Sequence, residues 1–231
     1  MGDGTLKNRH LFLFGGSPPF GKNLGRQFAN LSLNDNGKVA ILFIGKDGWE
    51  EYMQEYKSVL EGNGLVNFAY LPLSSKPSKS TIMELISCTG IIICGGETEL
   101  YHNYIVETSI AGHIREMYEQ GVPVSGFSAG ALICPNNCVI PPIDNMENKH
   151  LFLNGLGLIK NCCISVHFTK WNEEKNLKTA LARTHVTIGY GIDDDAGIYF
   201  ENETLSLTEG NTFIANRKGA IICSKTKSIG F

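Results

Sequence analysis

The chain has 231 residues, 42% of them hydrophobic and 19% charged, with a formal net charge of -3. That balance suits a globular protein with a full core, and the slight negative charge favours neither nucleic acid nor an anionic membrane as the main partner. No basic-then-apolar leader opens the chain, and no apolar run nears the roughly 18 residues that span a bilayer. The expectation is a soluble, cytoplasmic protein folded as one domain over 1–231.

Short apolar runs alternate with helix-period segments. "HLFLFGG" (10–16), "VAILFIG" (39–45), "FAYLPL" (68–73), "GIIICGG" (90–96) and "VPVSGF" (122–127) read as strands. They do not alternate apolar with polar, which suits strands buried on both faces of a parallel sheet. The spacing predicts helices between them. Over 48–61, Trp49, Met53, Tyr56 and Leu60 share a face, and Gly62-Asn63-Gly64 ends the helix. Over 79–88 the stripe is Ile82, Leu85 and Ile86; over 99–119 it is Tyr104, Ala111, Ile114 and Tyr118. The alternation predicts a three-layer α/β sandwich with a mostly parallel sheet and right-handed crossovers, its functional groups at the C-terminal ends of the strands.

After Ala131 the pattern changes. Residues 134–150 are rich in Pro and Asn and read as a long loop, a common place for function. Strand signals return at 162–168, 185–192, 197–200, 212–217 and 220–224, with a helix at 171–183. The seven cysteines mostly sit in apolar runs such as "IIICGG" and "AIICS" and read as buried free thiols. "CPNNC" (134–138) lacks a second Cys or His pair at zinc spacing, so no metal is expected.

The chemistry concentrates in "SGFSAGALI" (125–133). Ser128 follows a strand and precedes a helix-like run, and Gly126-x-Ser128-x-Gly130 is the small-residue spacing of a nucleophile elbow. The plainer reading is a serine that caps a helix. A nucleophile needs a base and an acid that orients it. Of six histidines, His102 and His113 fall in a helix pattern, His10 and His150 precede apolar runs and look like edge residues, and His185 opens a strand. His167 ends "CCISVHF", at the sheet edge where Ser128 emerges. Asp193, Asp194 and Asp195 follow the next strand and cannot all point the same way. The backbone of Ala129 and of the glycine pair in "CGGETEL" (94–100) supplies candidate oxyanion donors. "FGGSPPFG" and "CGGETE" match no nucleotide-binding pattern.

These pieces in this order, "GGETELYHNYI", "VPVSGFSAGALI", "SVHF" and "GYGIDDDAG", resemble the aspartyl dipeptidase (peptidase E) and cyanophycinase family of serine peptidases over about residues 8–225. The resemblance implies a flavodoxin-like or class I glutamine-amidotransferase-like sandwich with a serine–histidine–carboxylate triad. It assigns Ser128 as nucleophile, His167 as base, Asp194 as acid and Gly96 with Ala129 as oxyanion donors. It also places Glu97, Thr98 and Trp171 at the substrate. The chain departs from the family in three ways: Asp194 replaces a glutamate, "TKWNEEKNL" lacks the arginine that meets an acidic substrate side chain, and "GGETE" lacks an amide after the glycines. Strict Asp-X specificity is therefore not expected. The expected activity is cleavage of dipeptides or short peptides without a cofactor, with a homodimer as the candidate assembly. The alternatives are a non-catalytic binding module on the same fold and a glutaminase-like amidohydrolase. Against the latter, Thr169 stands where an acid would follow the histidine.

Overall fold

The five apolar runs of the first half become five parallel strands. They are β1 (His10–Phe14), β2 (Lys38–Phe43), β3 (Asn67–Pro72), β4 (Gly90–Ile93) and β5 (Val124–Phe127), ordered β3-β2-β4-β5-β1. The computed structural model describes residues 7–16, 18–33, 37–218 and 221–228. The chain steps one way along the sheet to β3, then reverses. Right-handed crossovers therefore put α1 (Lys22–Ser32) and α2 (Trp49–Glu61) on one face, and α3 (Lys79–Ile86) and α5 (Ile110–Glu119) on the other.

The periodicity of α2 translates directly into packing. Met53, Tyr56 and Leu60 are buried and Trp49 lies against the core. In α3, Leu85 is buried, but Ile86 is exposed, contrary to the predicted stripe. The predicted helix over 99–119 is broken into α4 (Thr98–Tyr101), a π-turn (His102–Val106) and α5. At the break the buried His102 Nε2–H donates to the Asn154 carbonyl at 2.9 Å, a partner far along the chain.

No helix was predicted at α1. It contains Gly25, where a Cβ would stand 2.6 Å from Val59 of α2, so the glycine permits the close packing of the two helices. Its first N–H groups are met by a distant carboxylate: Glu209 accepts from Asn23 N at 3.1 Å and from Leu24 N at 3.0 Å.

The second half completes the sheet in an unforeseen way. β8 (Cys162–Ser165), β9 (Ile188–Ile192), β10 (Gly197–Glu201), β11 (Thr204–Asn216) and β12 (Ile221–Ser228) follow. The predicted strand at 212–217 is only the latter part of β11, and the predicted 220–224 has its first residue outside the described ones. β12 pairs along one side of β11, while β10 and β9 pair end to end along its other side, with Gly197 opposite Glu209 and Ile192 opposite Thr212. β9 and β10 thus form one interrupted line, and residues 193–196 bulge out at the interruption. β1 runs antiparallel to β10, and β8 runs parallel to β9. The C-terminal ends of β1 and β8 therefore point at each other across the bulge, rather than sharing one sheet edge.

The predicted loop of 134–150 is in part a ribbon, in which β6 (Asn137–Ile140) pairs antiparallel with β7 (Leu151–Asn154) around a short 3-10 turn (Pro142–Asp144). Six cysteines are buried and free; Cys223 is exposed, contrary to the reading of its run.

Candidate active site

β5 delivers Ser128 and α6 (Ala129–Ile133) leaves from it. The turn is tight enough that a Cβ on Gly126 would lie 2.5 Å from the Gly130 carbonyl, and one on Gly130 would lie 2.3 Å from the Ile93 carbonyl. Only glycine fits at either position. Ser128 itself has φ 47° and ψ -107°, a conformation costly for a residue with a Cβ. It makes no side-chain cap on α6. Its Oγ lies 2.8 Å from His167 Nε2 instead.

The end of β1 holds the two side chains together. The Phe14 carbonyl accepts from Ser128 N, and the Gly15 carbonyl accepts from His167 N, both at 3.0 Å. Adjacent carbonyls of one strand thus fix the serine and the histidine from opposite sides. Gly15 and Gly16 are required for a second reason. A Cβ on Gly15 would collide with the Ile192 and Asp193 carbonyls, and one on Gly16 with the backbone of Asp194. The pair lets the 193–196 bulge press against β1. Sequence reasoning weighed these glycines only as a phosphate turn and missed this role.

The bulge sorts the three aspartates. Asp194 Oδ1 is hydrogen-bonded to His167 Nδ1, and Asp194 Oδ2 accepts from Lys170 Nζ at 3.0 Å. Asp193 Oδ1 accepts from Thr169 N at 2.9 Å and so braces the turn after the histidine. Asp195 is exposed. Burial works against the Asp194 carboxylate, but the bonds from His167 and Lys170 outweigh it and hold its pKa below the ordinary value. An ionised carboxylate only accepts, so Nδ1 carries the ring proton and Nε2 is left to accept from the Ser128 hydroxyl.

Trp171 lies against the imidazole, with ring centroids 4.2 Å apart. Glu97 is exposed beside Gly96. Thr98 is fully buried and its hydroxyl donates to Asp144 Oδ2 at 2.6 Å, so it fastens the turn at 142–144 and is not free for a substrate. The N–H groups of Gly96 and Ala129 carry no hydrogen bond among the described residues. Gly95 abuts the nucleophile, since a Cβ there would be 3.3 Å from Ser128 Cβ. Its peptide is pinned by two buried phenols: Tyr56 Oη accepts from Gly95 N at 3.1 Å, and Tyr101 Oη donates to the Gly95 carbonyl at 3.0 Å. The sequence places Tyr56 on the core face of α2 and singles out no role for Tyr101. Their signal lies in no motif, because the hydroxyl contacts depend on how α2 and α4 meet β4.

Behind the histidine turn, Glu173 is only 2% exposed. Burial pushes its pKa up, against the bonds from Asn176 and Ser165. A carboxyl with a raised native pKa contributes its stability below the unfolded value, about 4.3, and loses it as pH rises through the native one. Glu173→Gln is therefore expected to raise the thermal midpoint at pH 8, with the gain vanishing near pH 4. Unfolding scans at both values check this.

Among the described residues no group of three or more His, Cys, Asp or Glu is placed to hold a metal ion. No helix among them is long and apolar enough to cross a membrane.

A doubly covered sheet with a serine elbow, facing a histidine backed by a carboxylate, defines the class of α/β hydrolytic folds. The chain belongs to peptidase family S51, whose model matches residues 11–208. It is similar to cyanophycinases from Geminocystis herdmanii (26% identical, 50% of this chain and 44% of that one) and Synechococcus elongatus (29%, 52% and 38%). The matched stretch thus spans less than half the length of those relatives. It is also similar to the uncharacterized peptidase YgaJ of Bacillus subtilis, at 21% identity over 87% of this chain and 84% of that one. The fold matches a peptidase from an acI-B1 Actinobacterium with a TM-score of 0.71 at 16% identity, covering 98% and 97% of the two chains. It matches a candidate peptidase E of Listeria monocytogenes EGD-e with a TM-score of 0.62 at 20% identity, covering 96% and 100%.

Proposed function

We propose that the protein is a serine peptidase that hydrolyses dipeptides or other short peptides at Ser128. The observation that carries this reading is the 2.8 Å contact of Ser128 Oγ with His167 Nε2, made by a serine in a strained elbow that leaves its helix uncapped. Ser128 passes its proton to His167 Nε2 as Oγ attacks the peptide carbonyl. The N–H groups of Gly96 and Ala129 receive the oxyanion. Asp194 stabilises the imidazolium, which then protonates the leaving amine. Water releases the acyl group by the same steps in reverse order.

Short substrates are favoured by the turn at 142–144, fastened to Thr98 next to Gly96. An acidic side chain finds poor company there, because Glu97, Glu99 and Asp144 lie close enough to interact. Labelling by a fluorophosphonate probe, followed by digestion of a peptide library read by mass spectrometry, tests the reading. A chain that neither labels nor cleaves any peptide overturns it.

The pinned Gly95 peptide leads to a second expectation. Burial keeps both phenols protonated, and Tyr101→Phe removes the donor to the Gly95 carbonyl. The Gly96 N–H then loses its fixed position, which costs less than deleting an oxyanion donor outright. A fall in kcat of roughly tenfold with KM nearly unchanged is expected for Tyr101→Phe and for Tyr56→Phe. Steady-state kinetics well below the thermal midpoint check it.

A further inference from the structure

A cavity opens beside the Gly95–Gly96 backbone, lined by neither Ser128 nor His167. It holds about 210 Å³ between the end of β2, the first turns of α2 and the Gly95–Gly96 backbone. Drug-sized sites run from about 300 Å³ upward, so this volume fits one side chain rather than a whole ligand. Its walls are Phe43, Trp49, Tyr52, Met53 and Leu100. Trp49 packs against Phe43 and Tyr70, and Lys46 Nζ lies 5.5 Å from the Tyr52 ring centroid, yet both rings belong to half-buried residues, whereas Tyr56 and Tyr101 are sealed in the core. The charged groups of the lining are Lys46 and Glu97, both exposed at the rim and opposite in sign. The interior therefore offers no fixed counter-charge, and burying an acidic or basic side chain there would be costly.

The cavity is joined to the chemistry by Gly95, which lines it and abuts Ser128. We propose that it is a specificity pocket that takes an aromatic side chain of the substrate residue next to the scissile bond. The proposal rests on hydrolysis at Ser128. Offset and edge-on ring contacts with Trp49 and Tyr52 would supply the selectivity.

Ser128→Ala protein retains uncleaved peptide and permits a test by equilibrium binding. The probes are short peptides that differ only in carrying phenylalanine, alanine, aspartate or arginine beside the same amide. The phenylalanine peptide is expected to bind at least about tenfold more tightly than the others, the scale on which apolar pockets discriminate. That advantage should nearly vanish when Trp49→Ala or Tyr52→Ala is added, and should persist with Trp49→Phe. Melting curves identify any variant that fails to fold, and the remaining one still decides. Equal binding of all four peptides, tighter binding of a charged one, or an aromatic preference that survives both alanine substitutions overturns the proposal. Fluorophosphonate labelling of the unaltered protein separates the two readings: labelling without aromatic preference removes the pocket alone, and aromatic binding without labelling removes the hydrolase alone.

Discussion

Ser128→Ala is expected to abolish fluorophosphonate labelling and to lower peptide hydrolysis by several orders of magnitude, while the protein stays folded. Loss of a triad nucleophile costs up to about a millionfold in kcat in a serine protease, because no other group can form the acyl intermediate. The fold should tolerate the change. The hydroxyl caps no helix, and the Ser128 N–H bond to the Phe14 carbonyl survives in alanine. Ser128→Gly makes the contrast sharper. The left-handed conformation of Ser128 stores about 1–3 kcal/mol of strain, and glycine releases it. Against this, glycine adds unfolded-state entropy worth about 0.4–1 kcal/mol, so relief of strain is the larger effect. The glycine variant should therefore be inactive and slightly more heat-stable, by roughly 2–4 °C for each 1 kcal/mol gained. Turnover in Ser128→Ala equal to that of the unaltered chain would end the serine mechanism. A glycine variant that melts well below the alanine variant would contradict the strain argument.

The second large effect is expected at Asp194. Asp194→Asn should lower kcat/KM by up to about 10⁴-fold, the loss seen when a triad acid becomes an amide. Lys170 makes the reason specific to this chain. Its ammonium sits 3.0 Å from Asp194 Oδ2 and needs an acceptor there. The amide of Asn will turn its carbonyl to Lys170 and its NH₂ to His167 Nδ1. The ring proton is then driven to Nε2, which can no longer accept from Ser128. Asp193→Asn should be mild, since an amide carbonyl still accepts the Thr169 N–H, and Asp195→Asn milder, since that side chain is exposed.

Asp194→Glu is expected to lower activity too. The bulge already brings the shorter carboxylate to Nδ1, so a side chain longer by one methylene must fold back into solvent-facing rotamers to regain that bond. The depressed pKa of Asp194 sets the acid behaviour. Its contribution is in full force above the unfolded aspartate value of about 3.9 and is lost as pH falls through the lower native one. Measuring kcat/KM for the four variants decides the matter. If Asp193→Asn or Asp195→Asn proves the crippling change, the acid has been misassigned.

Much of this molecule is written locally. β1, β2, β4 and β5 announce themselves because their runs are apolar at nearly every position, as burial on both faces demands, while β3 lies at the sheet edge and is only partly covered. α2 announces itself because a 3.6-residue repeat puts Met53, Tyr56 and Leu60 on one side. The elbow is equally legible, since only glycine fits where Gly126 and Gly130 touch backbone. What could not be read is what depends on groups far apart in the chain. The cap of α1 comes from Glu209, 185 residues beyond Leu24. The break in the 99–119 segment coincides with a bond from His102 to the Asn154 carbonyl. Residue type alone does not choose among three consecutive aspartates, because all three are acids; only the family resemblance points to Asp194, the residue that meets His167. The choice is made by a bulge between β9 and β10, pressed into place against Gly15 and Gly16. Local preference selects elements and turns. Which carboxylate meets which imidazole is a matter of ångströms, and those are decided only when strands from opposite ends of the chain are packed against each other.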